Sequence, residues 1–354
     1  MAYAPDGGTL EYVITPGKTE VNKNSRRWFD GNFWYLCLRR RFAALRLVAA
    51  APIAASAVTA AVAGPAVAFA TARSVVAVRR SGLCRGRFRS RTKESILEEA
   101  RLLAASGVKE LIIVAQDITR YGIDLYGKVC LTELLKELCK LDFRWVRLHY
   151  LYPELIDDEL IDEIASEDKI VKYLDIPIQH INDTILRRMN RRGTGEEIRA
   201  LFKKLRERIP GLVLRTSLIT GLPGEGEAEF EELCDFLREA KIERAGVFPY
   251  SPEEGTPAAL MPDRCSTEEA QRRAELCMEI QAEIMDGFAE TFIGRELDVL
   301  VMGREPDGTP WGRSEYDSPD IDSRVIFSGG AAPGDMVRVR IDSVDDGELI
   351  GEQI

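Results

Sequence analysis

The sequence predicts an α/β protein in which a partial TIM-like parallel barrel is followed by a small all-β barrel. Between residues 92 and 262, apolar segments of strand length alternate with amphipathic helical segments, which is typical of a parallel sheet. From residue 293 onward, alternating or short apolar runs are separated by Gly, Asp and Pro, which is typical of a small β-domain. Five strand segments are too few for an eightfold barrel, so the first unit is expected to be partial.

The elements follow in order from Thr92, which is a suitable N-cap for a helix that buries Ile96, Ala100, Leu103 and Ala104. Strands are predicted at residues 110–115, 145–151, 171–177, 212–219 and 244–250. Helices are predicted at residues 131–141, 157–166, 196–209, 227–241 and 267–290, the last of them charged. The barrel is therefore expected to span residues 85–262, a connecting helical segment residues 263–292, and the β-domain residues 293–354.

The first 84 residues differ from the rest in composition. No acidic residue occurs between Asp30 and Glu94, and residues 47–72 are 26 uncharged residues, 13 of them Ala, with neither helical nor strand periodicity. A membrane helix, an Arg-rich targeting segment and an out-of-frame translation of GC-rich DNA would each produce such a stretch. The scarcity of Leu, Ile and Phe disfavours the membrane helix, and the internal position disfavours the targeting segment. We favour a frameshift or a poorly ordered low-complexity segment over residues 1–84.

Composition excludes several classes of protein. The formal net charge of −10 argues against a whole-surface nucleic-acid binder, which needs a concentrated basic face. Seven cysteines occur without a CxxC or CxxxC pair, which indicates a reducing, cytoplasmic compartment. Only two histidines, His149 and His180, are present, so a multi-histidine metal site is not expected.

Polar residues follow the predicted strands at the ends where parallel barrels bind ligands. Each position alone has an ordinary structural explanation, such as a turn or a satisfied histidine, but five strand ends coincide. Arg215 lies inside an apolar strand, where a cation needs an anion, so we predict that it binds a carboxylate. Asp117 and Glu225 are predicted to hold an ammonium group or ribose hydroxyls, and the three residues together suit a zwitterionic nucleoside.

Several sequence strings resemble the methylthiotransferase family of radical S-adenosylmethionine enzymes. They are GRFRSR (86–91), VAQDITRYG (114–122), YLYPE (150–154), DIPIQH (175–180), RRMNRRGT (187–194), RTSLITGLPGE (215–225) and FPYSPEEGTPA (248–258). GRFRSR, RMNRRGT and GRSEYDSPDID (312–322) are more similar to the ribosomal-protein (RimO-like) branch than to the tRNA-modifying branch. The β-domain resembles a TRAM domain.

The resemblance implies a barrel of the radical SAM type and two cofactors, S-adenosylmethionine and a 4Fe-4S cluster that cleaves it with an electron from a donor. The implied reaction adds a methylthio group to the β-carbon of an aspartate in ribosomal small-subunit protein twelve. The family motifs place the nucleoside cofactor against Gln116, Asp117, Arg215, Ile219, Gly221 and Glu225, with Phe248 and Tyr250 as walls of the site.

The sequence departs from this family where the cluster should bind. The family carries CxxxCxxC just before the segment that corresponds to GRFRSR, because three thiolates hold three of the irons. Here Cys84 is the only cysteine nearby and is interpreted as a spare residue, while Cys37 alone cannot replace the ligands of a second, N-terminal cluster. No metal ligands are therefore assigned, and this copy is expected to be defective in cluster binding. A tRNA methylthiotransferase, a catalytically silent ribosomal-protein binder and a membrane-anchored version are the alternatives.

The charge of the β-domain separates protein from RNA as a partner. Residues 293–354 contain fourteen Asp and Glu and six Arg, which gives a formal charge of −8. Such a surface attracts a basic ribosomal protein and repels phosphate, although acidity that serves only solubility would look the same. The sequence thus favours a ribosomal protein as the partner and disfavours tRNA and a membrane.

Overall fold

The computed structural model describes residues 67–71, 88–253 and 256–354. The predictions for Cys37, Cys84 and most of the 47–72 stretch lie outside these residues. Within them, no helix combines the length and the apolar character that a bilayer crossing requires.

The first domain is built on a six-stranded parallel sheet whose strands are adjacent in chain order. The strands are β1 (Val67–Thr71), β2 (Glu110–Val114), β3 (Trp145–Leu148), β4 (Ile170–Asp175), β5 (Val213–Thr220) and β6 (Arg244–Pro249). This arrangement confirms the predicted partial parallel barrel. Strand β3 ends earlier than predicted, because Tyr150 adopts a left-handed backbone conformation with φ of 60°.

Strand β1 lies in the stretch for which the sequence analysis finds no strand period, so that interpretation is wrong for these residues. Val67, Phe69 and Thr71 alternate with alanines, and residues of these three types favour strands. The strand pairs with β2 in parallel, with Val67 opposite Glu110. The alanine-rich surroundings conceal this short alternation.

The helices follow the strands and use capping residues that the sequence contains. They are α1 (Lys93–Ala105), α2 (Ile123–Tyr126), α3 (Leu131–Leu138), α4 (Asp158–Ser166), α5 (Asp183–Arg188), α6 (Gly195–Arg208), α7 (Glu227–Ala240) and α8 (Thr267–Glu290). Thr92 accepts a hydrogen bond from the Ser95 amide at the start of α1, as its predicted capping role requires. Helix α8 has the predicted bounds. Helices α2 and α5, of four and six residues, are too short to show a period and were not predicted.

The second domain is a closed five-stranded barrel, which confirms the fold predicted after residue 293. Its strands, in barrel order, are β10 (Met336–Asp345), β11 (Glu348–Gln353), β9 (Val325–Ser328), β8 (Pro310–Arg313) and β7 (Glu296–Arg304). Val299, Val301, Phe327, Val339 and Ile341 are buried in its core. Closure leaves no free sheet edge among these strands.

The two domains meet on the inner face of the parallel sheet. Inward-facing residues near the start of the strands, including Trp145, Val171 and Val213, form an apolar cluster with Leu300 of the small barrel. The small barrel therefore covers the amino-terminal end of the inner face. Residues near the carboxyl ends of the strands, such as Ile219, are only half-buried.

Candidate functional site

The half-buried carboxyl end of the inner face is the candidate site. In β5, alternate residues share a face, so Arg215 and Ile219 point to the inside, while Leu214 and Leu218 join the outer core. The pairing of β5 with β6 places Ile219 opposite Phe248. Two of the predicted site residues thus form neighbouring apolar walls, and Arg215 lies below them on the same face.

Arg215 has its anion within the protein. Its Nη1 donates a hydrogen bond to Asp175 Oδ1 at 2.8 Å, and the two residues are opposite each other on β5 and β4. Although burial lowers the pKa of Arg215, the Asp175 carboxylate outweighs burial and raises it. Asp175 therefore already supplies an anion to the buried cation, and binding of a ligand carboxylate by Arg215 stays a prediction.

Glu225 is bound by the protein through one of its two carboxylate oxygens. Its Oε1 accepts hydrogen bonds from the Gly221 amide at 2.8 Å and from Arg273 Nη1 of α8 at 2.9 Å. His180 Nε2 lies 3.3 Å from its Oε2. Burial raises the pKa of Glu225, but these partners outweigh burial and lower it. Glu225 thus joins the loop after β5 to helix α8, and His180 is a buried histidine that takes part in this junction.

Gly221 and Tyr250 line one cleft together with the segment that precedes α8. The cleft has a volume of about 460 Å³, and Met261, Arg264 and Cys265 are among its other lining residues. The Tyr250 hydroxyl is buried and makes no hydrogen bond to the described residues, so its hydrogen-bonding capacity is unused among them. The structure therefore brings these two predicted site residues into a shared cavity.

Gln116 and Asp117 follow β2 at the other side of the open end. Strands β3 and β4 separate β2 from β5, which corresponds to about 14 Å at the usual spacing between strands. Asp117 is buried and accepts hydrogen bonds from the amide and the hydroxyl of Thr119, and burial raises the pKa of Asp117. Asp117 and Arg215 are therefore not neighbours, and a ligand would have to span the sheet to contact both.

Tyr150 and Gln179 were not predicted as site residues, although they lie in the strings YLYPE and DIPIQH. They follow β3 and β4 and have φ of 60° and 72°, a conformation that is strained for residues other than glycine. Tyr150 is 43% exposed at the mouth of the site. Because both residues follow strands at the open end of the barrel, we count them among the residues that border the candidate site.

The wall beneath the site is a buried polar network that includes a loop of the small barrel. Arg244 Nη2 donates to Asp317 Oδ1 at 2.8 Å, which joins β6 to this loop. His149 Nε2 lies 3.1 Å from the Ser318 hydroxyl of the same loop, and burial lowers the pKa of His149 to about 4. The β-domain therefore supplies the lower wall of the barrel interior, a role that its sequence did not indicate.

The described residues offer no set of ligands for an iron–sulfur cluster. No CxxxCxxC occurs anywhere in the sequence, and the described part of the chain contains no group of three His, Cys, Asp or Glu residues that could hold a metal ion. The sulfurs of Cys234 and Cys277 are 3.9 Å apart, but both thiols are buried and lie on α7 and α8. The apolar walls at Ile219 and Phe248, with a Tyr250 hydroxyl that is unpaired among the described residues, are compatible with a nucleoside.

Comparisons with known proteins identify related sequences. Residues 78–237 match the radical SAM superfamily, and residues 293–354 match the TRAM domain. The ribosomal protein uS12 methylthiotransferase RimO of Symbiobacterium thermophilum is 49% identical over 277 residues, which are 76% of this chain and 57% of that protein. RimO of Geobacter sulfurreducens is 50% identical over 274 residues, which are 76% of this chain and 61% of that protein. The chain thus spans about 60% of the length of the curated relatives it matches.

Among solved structures, the Escherichia coli coproporphyrinogen III oxidase HemN, described as a radical SAM enzyme, is similar at 17% identity. The match covers 62% of this chain and 54% of that chain, with a TM-score of 0.45.

Proposed function

The chain belongs to the radical SAM methylthiotransferase family, and from this premise we propose that its partner is ribosomal protein uS12. The observation that carries the proposal is the identity of 47–50% to uS12 methylthiotransferases over three quarters of the chain. The family reaction adds a methylthio group to an aspartate of uS12. The nucleoside cofactor is proposed to bind at the open end of the barrel, where Ile219, Gly221, Phe248 and Tyr250 lie on one side and Gln116 and Asp117 on the other.

The surface of the TRAM domain supports a basic partner. Four of its six arginines form ion pairs with carboxylates, so they add little positive potential; they are Arg313, Arg324, Arg338 and Arg340. Asp307, Asp320, Asp335 and Asp345 are exposed and form no ion pair with the described residues. The remaining surface is negative and attracts a positively charged ribosomal protein.

A binding experiment tests the partner. Purified uS12 is expected to bind the full chain at low salt and to bind more weakly at high salt, because screening weakens the attraction. Neutralising three exposed carboxylates in D307N/D320N/D345N should lower the affinity at low salt by about tenfold. The control E98Q/E196Q/E231Q removes the same charge from exposed positions on the barrel and should bind as the unmodified chain does. Equal losses in both variants, or binding that strengthens with salt, would refute the proposal.

The absence of a CxxxCxxC motif from the sequence limits what this chain is proposed to do. The radical step of the family requires a 4Fe-4S cluster. The sequence lacks the CxxxCxxC motif, and the described residues contain no group that could replace it. We therefore assign recognition of the ribosomal protein and of the nucleoside to this chain, and we derive no chemical step for it. Anaerobic reconstitution with iron and sulfide should leave the protein without the iron, sulfide and visible absorbance of a cluster. A bound 4Fe-4S cluster would overturn the proposal that this chain lacks cluster binding, and it would leave the proposal of uS12 as the partner unaffected.

A further inference from the structure

A row of arginines lies at the mouth of the barrel and is not used by the proposed function. Arg187, Arg188, Arg191 and Arg192, here called the arginine rim, occur within six residues at the end of α5 and in the turn that follows it. Arg187, Arg188 and Arg192 are exposed, and Arg191 is half-buried. No acidic residue lies within this segment, although the net charge of the chain is −10.

Two contacts place the arginine rim over the carboxyl ends of three strands. Arg191 Nη2 donates to the Pro177 carbonyl, after β4, at 3.1 Å, and its guanidinium lies 4.6 Å from the ring centre of Tyr152, after β3. Arg188 lies against Gly224, after β5, where an added Cβ would collide with the guanidinium. The rim therefore borders the open end of the barrel, beside the candidate site.

The four guanidinium groups are not neutralised within the protein. None of them forms an ion pair with a carboxylate in residues 88–253 or 256–354, whereas Arg206 pairs with Glu243 at 2.5 Å. Among the described residues, Arg187 donates only to the Asp183 carbonyl and the Thr184 hydroxyl. Neighbouring like charges repel one another, and this repulsion is relieved when a polyanion binds.

We infer that the arginine rim binds the phosphate backbone of RNA next to the ribosomal protein. This inference rests on the proposed function, because a ribosomal protein is basic and is held in RNA. The rim repels a basic protein, whereas the negative TRAM surface attracts it, so the two surfaces suit the two components of one ribonucleoprotein. The guanidinium fork matches phosphate oxygens in a bidentate geometry, which favours phosphate as the ligand of clustered arginines.

Aromatic residues beside the rim favour RNA over an acidic peptide. Tyr152 packs against Arg191, and Tyr150, two residues earlier, is 43% exposed at the same end of the barrel. Unpaired RNA bases stack on exposed aromatic rings, and a basic surface with interspersed aromatic residues is typical of proteins that bind single-stranded RNA. An acidic peptide has no comparable use for an exposed tyrosine.

Fluorescence anisotropy with a labelled RNA hairpin of about 20 nucleotides from the small ribosomal subunit tests the inference. The full chain should bind this probe at 50 mM salt and lose affinity steeply by 200 mM, because each phosphate contact adds about 0.7 to 0.9 to the slope of log affinity against log salt. The variant R187A/R188A/R192A keeps Arg191, whose stacking on Tyr152 is structural, and should bind at least about tenfold more weakly with a slope reduced by about 2. R101A/R238A/R272A removes the same charge from exposed positions on α1, α7 and α8 and should bind within about twofold of the unmodified chain.

Several outcomes would overturn the inference. They are equal losses in the two triple variants, no binding of the hairpin to the unmodified chain, and displacement of the hairpin by a polyglutamate peptide of equal charge. Bulk tRNA that binds more than tenfold tighter than the ribosomal hairpin would also overturn it, in favour of a tRNA partner. The uS12 measurement stays independent, because R187A/R188A/R192A leaves the TRAM surface unchanged and should retain uS12 binding.

Discussion

Asp175 is the counter-ion of the buried Arg215, and the pair illustrates how single charges are fixed inside this barrel. The side chains are 1% and 10% exposed, so each ion has given up most of its hydration. Such a pair contributes little net stability relative to an apolar pair, but removal of one partner leaves an uncompensated buried charge. A substitution that removes only one of the two charges is therefore expected to lower the free energy of unfolding.

We expect Asp175→Asn to lower the free energy of unfolding by about 3 to 5 kcal/mol, because it leaves the Arg215 guanidinium buried without its anion. Urea denaturation of the full chain measures the effect. Asp235→Asn breaks the exposed pair with Arg238 on α7 and should cost less than about 1 kcal/mol. Similar values for the two variants would show that Arg215 finds another anion or remains hydrated.

His149 makes stability depend on pH in a defined window. Burial lowers its pKa from 6.5 to about 4, so the folded protein holds the neutral ring while the unfolded chain takes up a proton below pH 6.5. The contribution of the neutral His149 ring to the free energy of unfolding is complete above pH 6.5. It is lost as the pH falls from 6.5 toward 4. The full effect is on the order of 3 kcal/mol.

The measurement is urea denaturation between pH 7 and pH 4.5, before most carboxylates titrate. The free energy of unfolding should decline over this range, and His149→Asn should have lower stability at pH 7 and a flatter decline. His180→Asn is the matched control, since it removes the other histidine of the chain. A decline that is as steep in His149→Asn as in the unmodified chain would show that other groups cause it.

At the scale of the element, sequence patterns located the long helices and all five predicted strands. The charged run at residues 267–290 was enough to locate helix α8, because this signal is local in sequence. The short elements β1, α2 and α5 escaped prediction, and they have five, four and six residues. Local period cannot identify such elements, because tertiary contacts decide them.

The candidate site was predictable only in outline. The sequence placed Ile219, Gly221, Phe248 and Tyr250 at the ends of neighbouring strands, and the structure brings them together in two adjoining pairs. It did not reveal that Asp175 neutralises Arg215 from 40 residues away. The spacing of residues along the chain does not show which buried cation pairs with which anion. The sequence around Arg215 and Glu225 therefore could not reveal their partners within the protein.

Gly221 fixes the approach of α8 to the loop after β5, and a comparison of two glycines tests this. Gly221 and Gly211 both have φ of 74°, but a Cβ at Gly221 would meet the Ala270 side chain of α8, whereas a Cβ at Gly211 would meet nothing within 4 Å. Gly211→Ala should cost only the backbone strain, about 1 to 2 kcal/mol. Gly221→Ala should cost about 1 to 3 kcal/mol more, because α8 must shift. Equal midpoints of thermal unfolding for the two variants would show that α8 shifts without loss of stability.

At the scale of the whole molecule, the TRAM domain completes the barrel as well as following it. Glu110, at the start of β2, is buried between Arg147 of the barrel and Arg313 of the TRAM domain. Although burial raises the pKa of Glu110, the two arginines outweigh burial and lower it to about 2. The Tyr173 hydroxyl also donates to Asp322 of the TRAM domain at 2.6 Å. The two domains thus share one buried polar network, which the sequence could not show because its partners are 149 to 203 residues apart.

A double-mutant cycle measures how strongly this network joins the domains. The cycle of Glu110→Gln and Arg313→Met should give a coupling energy of about 2 kcal/mol or more, because both side chains are at most 4% exposed and neither solvent nor salt screens the pair. The cycle of Arg144→Met and Asp298→Asn probes a second pair across the same interface, in which Arg144 is 57% exposed. This second coupling should be below about 1 kcal/mol and should shrink at high salt. If the two cycles give equal energies, the buried network does not hold the domains together, and the apolar cluster around Leu300 must do so instead.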